Sequence, residues 1–280
     1  MLRRPEPEPR LIETVALGLL QGPAELLPIS SSAHVELLPW LLGWQHARLG
    51  GERRKEVAVA LHAGTAVALA MRRPGVPGRA AFLVAATGPP ALAGLVLERP
   101  IERWLGGPRA IAGGLLAGSV ALVVSDRAPG RRGAADAGVA DALWLGAAQA
   151  AALAPGVSRS GATRAAARAR GFTREAAAEL SAEVALPVLA GAATLKGLRL
   201  ARSRPTARTA AALAGGAVAA VASTAGALRL ERAATVPPAA WAAYRSVLAL
   251  AVLALARRPP RHGGFAPARS DRPLRENRWR

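Results

Sequence analysis

Two short segments of this chain hold the residue types that can handle a phosphate group. Residues 28–34 read PISSSAH and residues 155–163 read PGVSRSGAT. Hydroxyl groups supply a nucleophile or hydrogen bonds to phosphate, and the imidazole of His34 exchanges protons near neutral pH. The guanidinium of Arg159 pairs with two phosphate oxygens at once. The two segments therefore predict chemistry on an anion of the phosphate type.

The two segments are copies of one another. Four pairs of identical residues lie 128 positions apart: Gly18/Gly146, Gln21/Gln149, Ser30/Ser158 and Ser32/Ser160. The chain therefore contains an internal duplication, and a duplicated polar loop within apolar surroundings predicts a binding site between the two halves.

The first copy brings a carboxylate to the loop. Gln21 and Glu25 are four residues apart, so on a helix their side chains lie on one face. A Glu in an apolar membrane segment costs roughly 2.5 kcal/mol or more unless it is paired or hydrated, which favours a functional role. The structural alternative is a helix end where both side chains reach headgroup water.

The second copy brings a positive charge. Arg159 stands between Ser158 and Ser160, and Gly161 and Thr163 follow at the predicted start of a helix, whose free N–H groups attract anions. An interfacial topology charge is the alternative for Arg159, and a helix N-cap is the alternative for Ser30 alone.

Together the copies provide the groups needed for phosphoryl transfer. Glu25 acts as a base or holds a cation, Arg159 neutralises charge on the phosphoryl oxygens, and a Ser attacks or orients. Because no cluster has the spacing of a self-sufficient metal site, any cation is shared with the substrate phosphate. Mg²⁺ or Ca²⁺, held by Glu25 and Gln21, suits such oxygen ligands.

Other polar residues receive weaker predictions. His62 and Gln149 are predicted either to line the site or to make interhelical hydrogen bonds. Glu183 and Arg245 are predicted to form a structural pair or to reach the membrane interface. The side chains of the second hairpin's exit arm are predicted to contact lipid headgroups or to attract an anionic substrate: Arg164, Arg168 and Arg170.

Composition places these residues in a membrane protein. The chain of 280 residues is 51% hydrophobic, lacks Cys and carries a net charge of +19. Its Arg clusters lie between apolar runs, with no zinc-ligand spacing or RNA-binding aromatic motif, so we exclude nucleic acid as a partner. Six runs are long enough to span a bilayer: 57–71, 80–97, 109–125, 176–195, 208–227 and 239–256.

Two further apolar regions are each broken by a Ser-rich loop: 11–28 with 34–44, and 137–154 with 160–170. We interpret both as re-entrant helical hairpins. The sequence thus predicts an all-α integral membrane protein with an inverted-topology repeat, each half a hairpin followed by about three transmembrane helices. The halves cover roughly 11–125 and 137–256 of one membrane domain, and a basic tail at 257–280 is predicted to be disordered. The positive-inside rule places both termini in the cytoplasm.

These motifs resemble the undecaprenyl pyrophosphate phosphatase family, known for bacitracin resistance. Its first signature, Glu or Gln, three residues, Glu, then Leu-Pro and a Ser-rich turn ending in Gly-His, reads QGPAELLPISSSAH at 21–34. Its second signature is complete at 155–163, and the similarity continues at 88–90, 172–177 and 186–188. Ala33 replaces the usual Gly before His34, which would restrict the turn if that position needs a positive φ, and Arg164 replaces a usual apolar residue after Thr163.

The resemblance implies hydrolysis of undecaprenyl pyrophosphate to the monophosphate carrier lipid in the bacterial inner membrane, aided by a divalent cation and serving peptidoglycan synthesis. It assigns Gln21 and Glu25 to acid–base or cation-associated roles, Ser31 to the nucleophile, His34 to its proton-transfer partner and Arg159 to the phosphate clamp. The remaining phosphate contacts are Ser30, Ser32, Ser158, Ser160, Gly161 and Thr163.

One competing function stays open at this point. Inverted repeats with paired hairpins also describe membrane transporters or flippases for lipid phosphates. The cluster of Glu25, Ser31 and His34 favours the enzyme, because a carrier needs an anion clamp but no nucleophile. The partners expected are a polyprenyl pyrophosphate lipid and membrane lipids, and a homodimer is left open.

Overall fold

A computed structural model describes residues 7–72, 78–202, 205–233 and 236–257, and these form ten α-helices. The first five are α1 (Leu11–Leu26), α2 (Ser31–Leu42), α3 (Gly51–Arg72), α4 (Ala80–Leu105) and α5 (Pro108–Asp126). The second five are α6 (Val139–Ala151), α7 (Arg159–Ala169), α8 (Arg174–Arg202), α9 (Ala207–Ala233) and α10 (Pro238–Leu255). The predicted tail, apart from Arg257, lies outside the described residues.

Five of these helices are long and apolar enough to cross a membrane: α4, α5, α8, α9 and α10. The protein is therefore an all-α integral membrane protein. The sixth predicted run, 57–71, lies within α3 and is not among those five. The first turns of α3 carry five charged residues at 52–56, which leaves an apolar stretch too short to cross alone.

Each Ser-rich segment joins two short helices, as the sequence predicts. Residues 27–30 connect α1 to α2, and residues 152–158 connect α6 to α7. The α1–α2 loop starts after Leu26, where Pro28 lacks the N–H needed to continue a helix. The opposite orientation of the two hairpins in the membrane stays a prediction.

Each hairpin packs against a long helix of the other half of the chain. Helix α1 packs along α9, and α6 packs along α4, so each hairpin contacts the fourth helix of the other half. The equivalent residues Gly18 and Gly146 mark both contacts, because a side chain at Gly18 would overlap the Gly216 carbonyl and one at Gly146 would press on Ala86 and Pro89. The duplication seen in the sequence thus extends to the packing of the hairpins.

Helix α2 packs against α5 and α10. Ala33 and Leu37 lie in a core cluster with residues of both helices, including Leu115 and Val252. Ala33 is fully buried and lies inside the helix, and the non-glycine residues described with positive φ are Ser30 and Ser158. The departure from the family pattern at Ala33 therefore leaves the turn unstrained at that position.

The second hairpin is anchored by internal ion pairs. Arg168 pairs with Asp126 at 3.3 Å, and Arg170 pairs with Asp141 at 2.8 Å. Arg132 also contacts Asp141, at 2.7 Å. Arg168 and Arg170 thus bind acidic residues at the ends of α5 and α6. Contact of either residue with lipid headgroups stays a prediction.

Candidate functional site

Both Ser-rich loops end in the same unusual backbone conformation. Ser30 has φ 75° and ψ 93°, and Ser158 has φ 71° and ψ 115°. Each caps the helix that follows, since Ser30 Oγ accepts from the Ala33 N–H and Ser158 Oγ accepts from the Gly161 N–H. Left-handed backbone in a residue other than Gly costs free energy and concentrates at functional sites. The N-cap role considered for Ser30 is confirmed.

The hydroxyl groups repeat with the same geometry. Ser30 Oγ lies 3.3 Å from Ser32 Oγ, and Ser158 Oγ lies 3.3 Å from Ser160 Oγ. Ser160 also donates to the Leu27 carbonyl at 2.8 Å, so the second loop is bonded directly to the first. The predicted meeting of the two loops is therefore present in the fold.

Arg245 of α10 forms hydrogen bonds with both loops. Its guanidinium is fully buried and donates to the carbonyls of Pro28 at 3.0 Å, Gly156 at 3.0 Å and Val157 at 2.9 Å. A side chain on Gly161 would press on the same guanidinium, so Gly161 leaves room for Arg245. Because a buried carbonyl without a hydrogen-bond partner costs free energy, a buried donor that serves three carbonyls stabilises both loops.

Glu25 is the centre of the site. It is 4% exposed, and its Oε2 accepts from Ser31 Oγ at 2.6 Å and from Gln21 Nε2 at 3.2 Å. Its Oε1 accepts from Arg159 Nε at 3.1 Å. Carboxylate, hydroxyl, amide and guanidinium thus come from both copies of the repeat and meet at one point.

Arg159 is oriented by three further contacts. It donates to the Ser181 carbonyl at 3.0 Å and to the Glu25 carbonyl at 3.4 Å. Thr163 accepts or donates a hydrogen bond with Ser181 Oγ at 2.6 Å and donates to the Arg159 carbonyl at 2.9 Å. Thr163 is fully buried, so its observed contacts support the start of α7 and its contact with phosphate stays a prediction.

Both ring nitrogens of His34 have partners other than the Glu25 carboxylate. Its Nδ1 lies 2.8 Å from the Ser30 carbonyl and its Nε2 lies 2.6 Å from the Tyr244 hydroxyl, with the two rings stacked. The carbonyl requires a proton on Nδ1, so Nε2 accepts from Tyr244 when the imidazole is neutral. The hydroxyl of Ser31 is bonded to Glu25 instead, and a proton-transfer role for His34 stays a prediction.

His62 and Gln149, the two weaker candidates for the site, have different places in the structure. His62 Nε2 lies 3.5 Å from Glu25 Oε2, which places His62 in the site. Gln149 Nε2 donates to the Ala86 carbonyl at 3.0 Å and makes the interhelical hydrogen bond that was the alternative. The identical residues Gln21 and Gln149 thus have different partners, so the two copies of the repeat are not equivalent.

Two predictions about charged residues need correction. Glu183 and Arg245 do not form the expected pair, since Glu183 pairs with Arg79 at 2.7 Å and Arg245 binds loop carbonyls. Arg164 donates to the Leu26 carbonyl at 3.1 Å, next to Glu25. Sequence reasoning missed the roles of Arg245 and Tyr244, and the signal was a charged residue in the apolar helix α10.

Oxygen atoms for a divalent cation are present beside the carboxylate. Gln21 Oε1 is buried without a hydrogen-bond partner, and Gln21 is in contact with Glu25. Within the described residues no group of three or more His, Cys, Asp or Glu side chains could hold a metal ion. The residues therefore fit a cation that takes most of its ligands from substrate and water.

This arrangement can transfer a phosphoryl group. Ser31 offers a hydroxyl whose proton points at a carboxylate, which is how a base activates a nucleophile. Arg159 and the N-termini of α2 and α7 provide positive charge for phosphoryl oxygens. A carrier would have no use for the contact between Ser31 and Glu25.

Comparisons with known proteins agree on one family. The family model described as bacitracin resistance protein BacA matches residues 14–73 and 77–251, which include both loops. An undecaprenyl-diphosphatase of Geobacter sulfurreducens is 39% identical over 270 residues, which cover 87% of this chain and 97% of that protein. Undecaprenyl-diphosphatases of Pelotomaculum thermopropionicum (35% over 203 residues; 66% and 75%) and Teredinibacter turnerae (38% over 211 residues; 68% and 78%) are also similar.

Proposed function

This chain belongs to the bacitracin resistance protein BacA family, and from that premise we propose that the two-loop site is the active site of a membrane phosphatase. The enzyme hydrolyses undecaprenyl pyrophosphate to undecaprenyl phosphate and inorganic phosphate, and so recycles the carrier lipid for cell-wall synthesis. The observation that carries the assignment of the site is Ser31 Oγ at 2.6 Å from Glu25 Oε2, with Arg159 on the other carboxylate oxygen.

Glu25 is the general base for Ser31. The Ser31 proton already points at Oε2, so removing it needs no large movement. Ser31 Oγ then attacks the terminal phosphorus, and the carrier monophosphate leaves with the bridging oxygen. Water next attacks the phosphoserine, which releases inorganic phosphate and returns a hydrogen to Ser31 Oγ. Positioned proton transfer of this kind contributes roughly 10²–10⁴-fold to a rate.

Arg159 stabilises the phosphoryl group. Its guanidinium reaches Glu25 through Nε and the Ser181 carbonyl through Nη1, contacts that fix its plane in the site. When the pyrophosphate binds, its oxygens compete with the Glu25 carboxylate for this guanidinium. Once Arg159 pairs with phosphate, its guanidinium no longer holds the Glu25 carboxylate, and Glu25 can accept the Ser31 proton.

Gln21 and Glu25 are proposed to hold a divalent cation together with substrate phosphate. The buried Gln21 Oε1 supports this proposal, since a buried oxygen without a partner has a place for a cation or a water. A divalent cation such as Mg²⁺ or Ca²⁺, held there by Gln21 and Glu25, would neutralise charge on the phosphoryl oxygens. Removal of divalent ions by a chelator is expected to lower phosphate release, and restoration by either ion would identify the one that fits.

The substrate tail determines where the enzyme works. Undecaprenyl chains reside in the bilayer, and the five apolar helices place the protein there as well. We propose the bacterial inner membrane as the location, because the carrier lipid serves cell-wall synthesis at that membrane. A homodimer stays a prediction.

Phosphate release by the purified protein tests the proposed function. In detergent with a divalent cation, the wild type is expected to release inorganic phosphate from undecaprenyl pyrophosphate, and Glu25→Gln is expected to lose the activity while keeping its melting temperature within a few degrees. Movement of the lipid across vesicle membranes without phosphate release would favour the transporter and contradict the enzyme.

A further inference from the structure

We infer that Arg164 is a positioning residue, which caps the C-terminal end of α1 from the other half of the chain and thereby holds the Glu25 carboxylate beside Ser31. The inference rests on the proposed function and deepens it, since it assigns the side chain that keeps the general base aligned. The family resemblance expects an apolar residue at position 164, so this cap is a feature of this chain and not of the family pattern.

Helix α1 ends without a cap of its own. It stops at Leu26, and its last turn contains no basic residue. Leu27 has extended backbone in place of the left-handed turn that commonly ends a helix. The Leu27 N–H serves the Pro23 carbonyl, and the carbonyls that follow need donors from outside the helix. Pro23 also lacks the N–H that would bond the carbonyl one turn earlier. The turn that contains Glu25 therefore depends on other parts of the chain.

Side chains of the second half supply the missing donors. The carbonyls of residues 25–28 each accept a hydrogen bond from that half, and the donors in that order are Arg159 at 3.4 Å, Arg164 at 3.1 Å, Ser160 at 2.8 Å and Arg245 at 3.0 Å. Three of these four donors are guanidinium groups, and positive charge is favoured at the C-terminal end of a helix. The last turn of α1 is thus capped by side chains more than 130 positions away.

Arg164 is the donor on this last turn that the chemistry leaves in place. Arg159 pairs with the phosphoryl group when substrate binds, and its contact with the Glu25 carbonyl is the longest of the four. Arg164 lies five residues further along α7 and is half-buried, with its guanidinium on the Leu26 carbonyl. The cap on α1 therefore persists while Arg159 is engaged by phosphate.

Fixing the Leu26 carbonyl also fixes Glu25. The two residues are neighbours in the chain, and the ends of helices fray. Fraying would move Glu25 Oε2 away from Ser31 Oγ, which lies 2.6 Å from it. A misplacement of about 1 Å can lower a rate roughly 10²-fold. Arg164 therefore acts on the rate through the position of Glu25 and not through contact with substrate.

Hydrogen exchange of backbone amides tests the cap without any need for activity. Arg164→Leu cannot donate to the carbonyl, so exchange in peptides that cover residues 20–29 is expected to rise about fivefold or more, because the last turn opens more often. Arg164→Lys keeps a charged donor and is expected to exchange within about twofold of wild type.

Steady-state kinetics separate positioning from substrate binding. Arg164→Leu is expected to lower kcat for phosphate release roughly tenfold or more, with KM changed less than about threefold, because the base is displaced and no substrate contact is lost. Arg164→Lys is expected to recover most of the lost kcat. A contact between Arg164 and phosphate would instead raise KM.

Arg132→Gln is the matched control. Arg132 donates to the carbonyl of Arg170 at 3.1 Å, so its guanidinium serves the C-terminal end of α7, outside the site. This variant is expected to keep wild-type exchange at residues 20–29 and wild-type kcat, measured at a temperature at which all variants are folded.

Three results would overturn the role of Arg164. They are wild-type exchange at residues 20–29 in Arg164→Leu, a raised KM with unchanged kcat in that variant, and an Arg164→Lys variant that restores neither exchange nor kcat. An inactive wild type would instead contradict the proposed function, and the exchange measurement would still decide whether Arg164 caps α1. The two failures are therefore distinguishable.

Discussion

Arg159 Nε lies 3.1 Å from Glu25 Oε1, although 134 positions separate the two residues in the chain. One comes from the second Ser-rich loop and the other from the helix before the first. Their contact joins a carboxylate that can remove a proton to a guanidinium that can hold phosphate. Each copy of the duplicated segment therefore supplies different groups to one shared site.

Arg245 is expected to determine whether the loops stay together. Arg245→Gln removes a buried cation that serves carbonyls of both loops, and each hydrogen bond from a charged donor contributes about 1.5–3 kcal/mol. We expect a fall of the melting temperature by more than 10 °C in detergent and a loss of activity. Arg127→Gln, an exposed Arg after α5, is the control. Equal melting curves for both variants would contradict this role.

Gly22 is expected to control how closely α1 approaches α9. A side chain there would overlap the backbone of Thr224, and the Gly22 N–H donates to Ser223 Oγ at 3.1 Å. Overpacking costs typically 1–3 kcal/mol. The displacement of α1 would also shift Glu25, which lies one helical turn after Gly22. Gly22→Ala should therefore unfold at lower temperature than wild type. Gly94→Ala, where a side chain meets open space, should not, and a stable Gly22→Ala would refute the close contact.

Ser31 and Ser32 provide a matched pair of hydroxyls. Ser31 Oγ donates to Glu25, whereas Ser32 is exposed and its Oγ lies 3.3 Å from Ser30 Oγ. Ser31→Ala is expected to abolish phosphate release, and Ser32→Ala is expected to retain most of it. Acid quenching during turnover, followed by mass spectrometry, should find phosphate on Ser31 in wild type. Full activity of Ser31→Ala would exclude it as the nucleophile.

His46 is expected to make stability depend on pH. Burial, together with the charge of Arg54, lowers the pKa of His46 from 6.5 to about 4. Below the unfolded value the unfolded chain binds a proton that the folded chain excludes, so stability falls as the pH drops from about 6.5 towards 4. His46→Gln should show a smaller drop in melting temperature between pH 7 and pH 4.5. An identical drop in both proteins would contradict the buried neutral imidazole.

Much of the site could be predicted because charged side chains cost free energy in an apolar membrane segment and therefore stand out in the sequence. Glu25 and Arg159 stand out among apolar neighbours, and the repeat relates the two loops that hold them. Helix α3 was harder to predict, because its run 57–71 is apolar but short and follows a charged first segment.

Sequence alone could not assign partners. Arg245 binds backbone carbonyls, which every residue possesses and no pattern reveals. His34 follows the serines closely, yet helix α10 brings Tyr244 to its ring, and helix α3 brings His62 to the carboxylate. Such contacts depend on how distant helices pack, and the periodicity of a single segment does not contain that information.

A double-mutant cycle on Glu25 and Arg159 tests most directly whether the two loops form one active site. Initial rates of phosphate release from undecaprenyl pyrophosphate would be measured for wild type, Glu25→Gln, Arg159→Gln and the double variant. Residues that act as a unit are strongly non-additive, so the double variant is expected to be about as slow as the slower single variant. Rates that fall by the product of the two single effects, or a single variant as fast as wild type, would contradict a shared site.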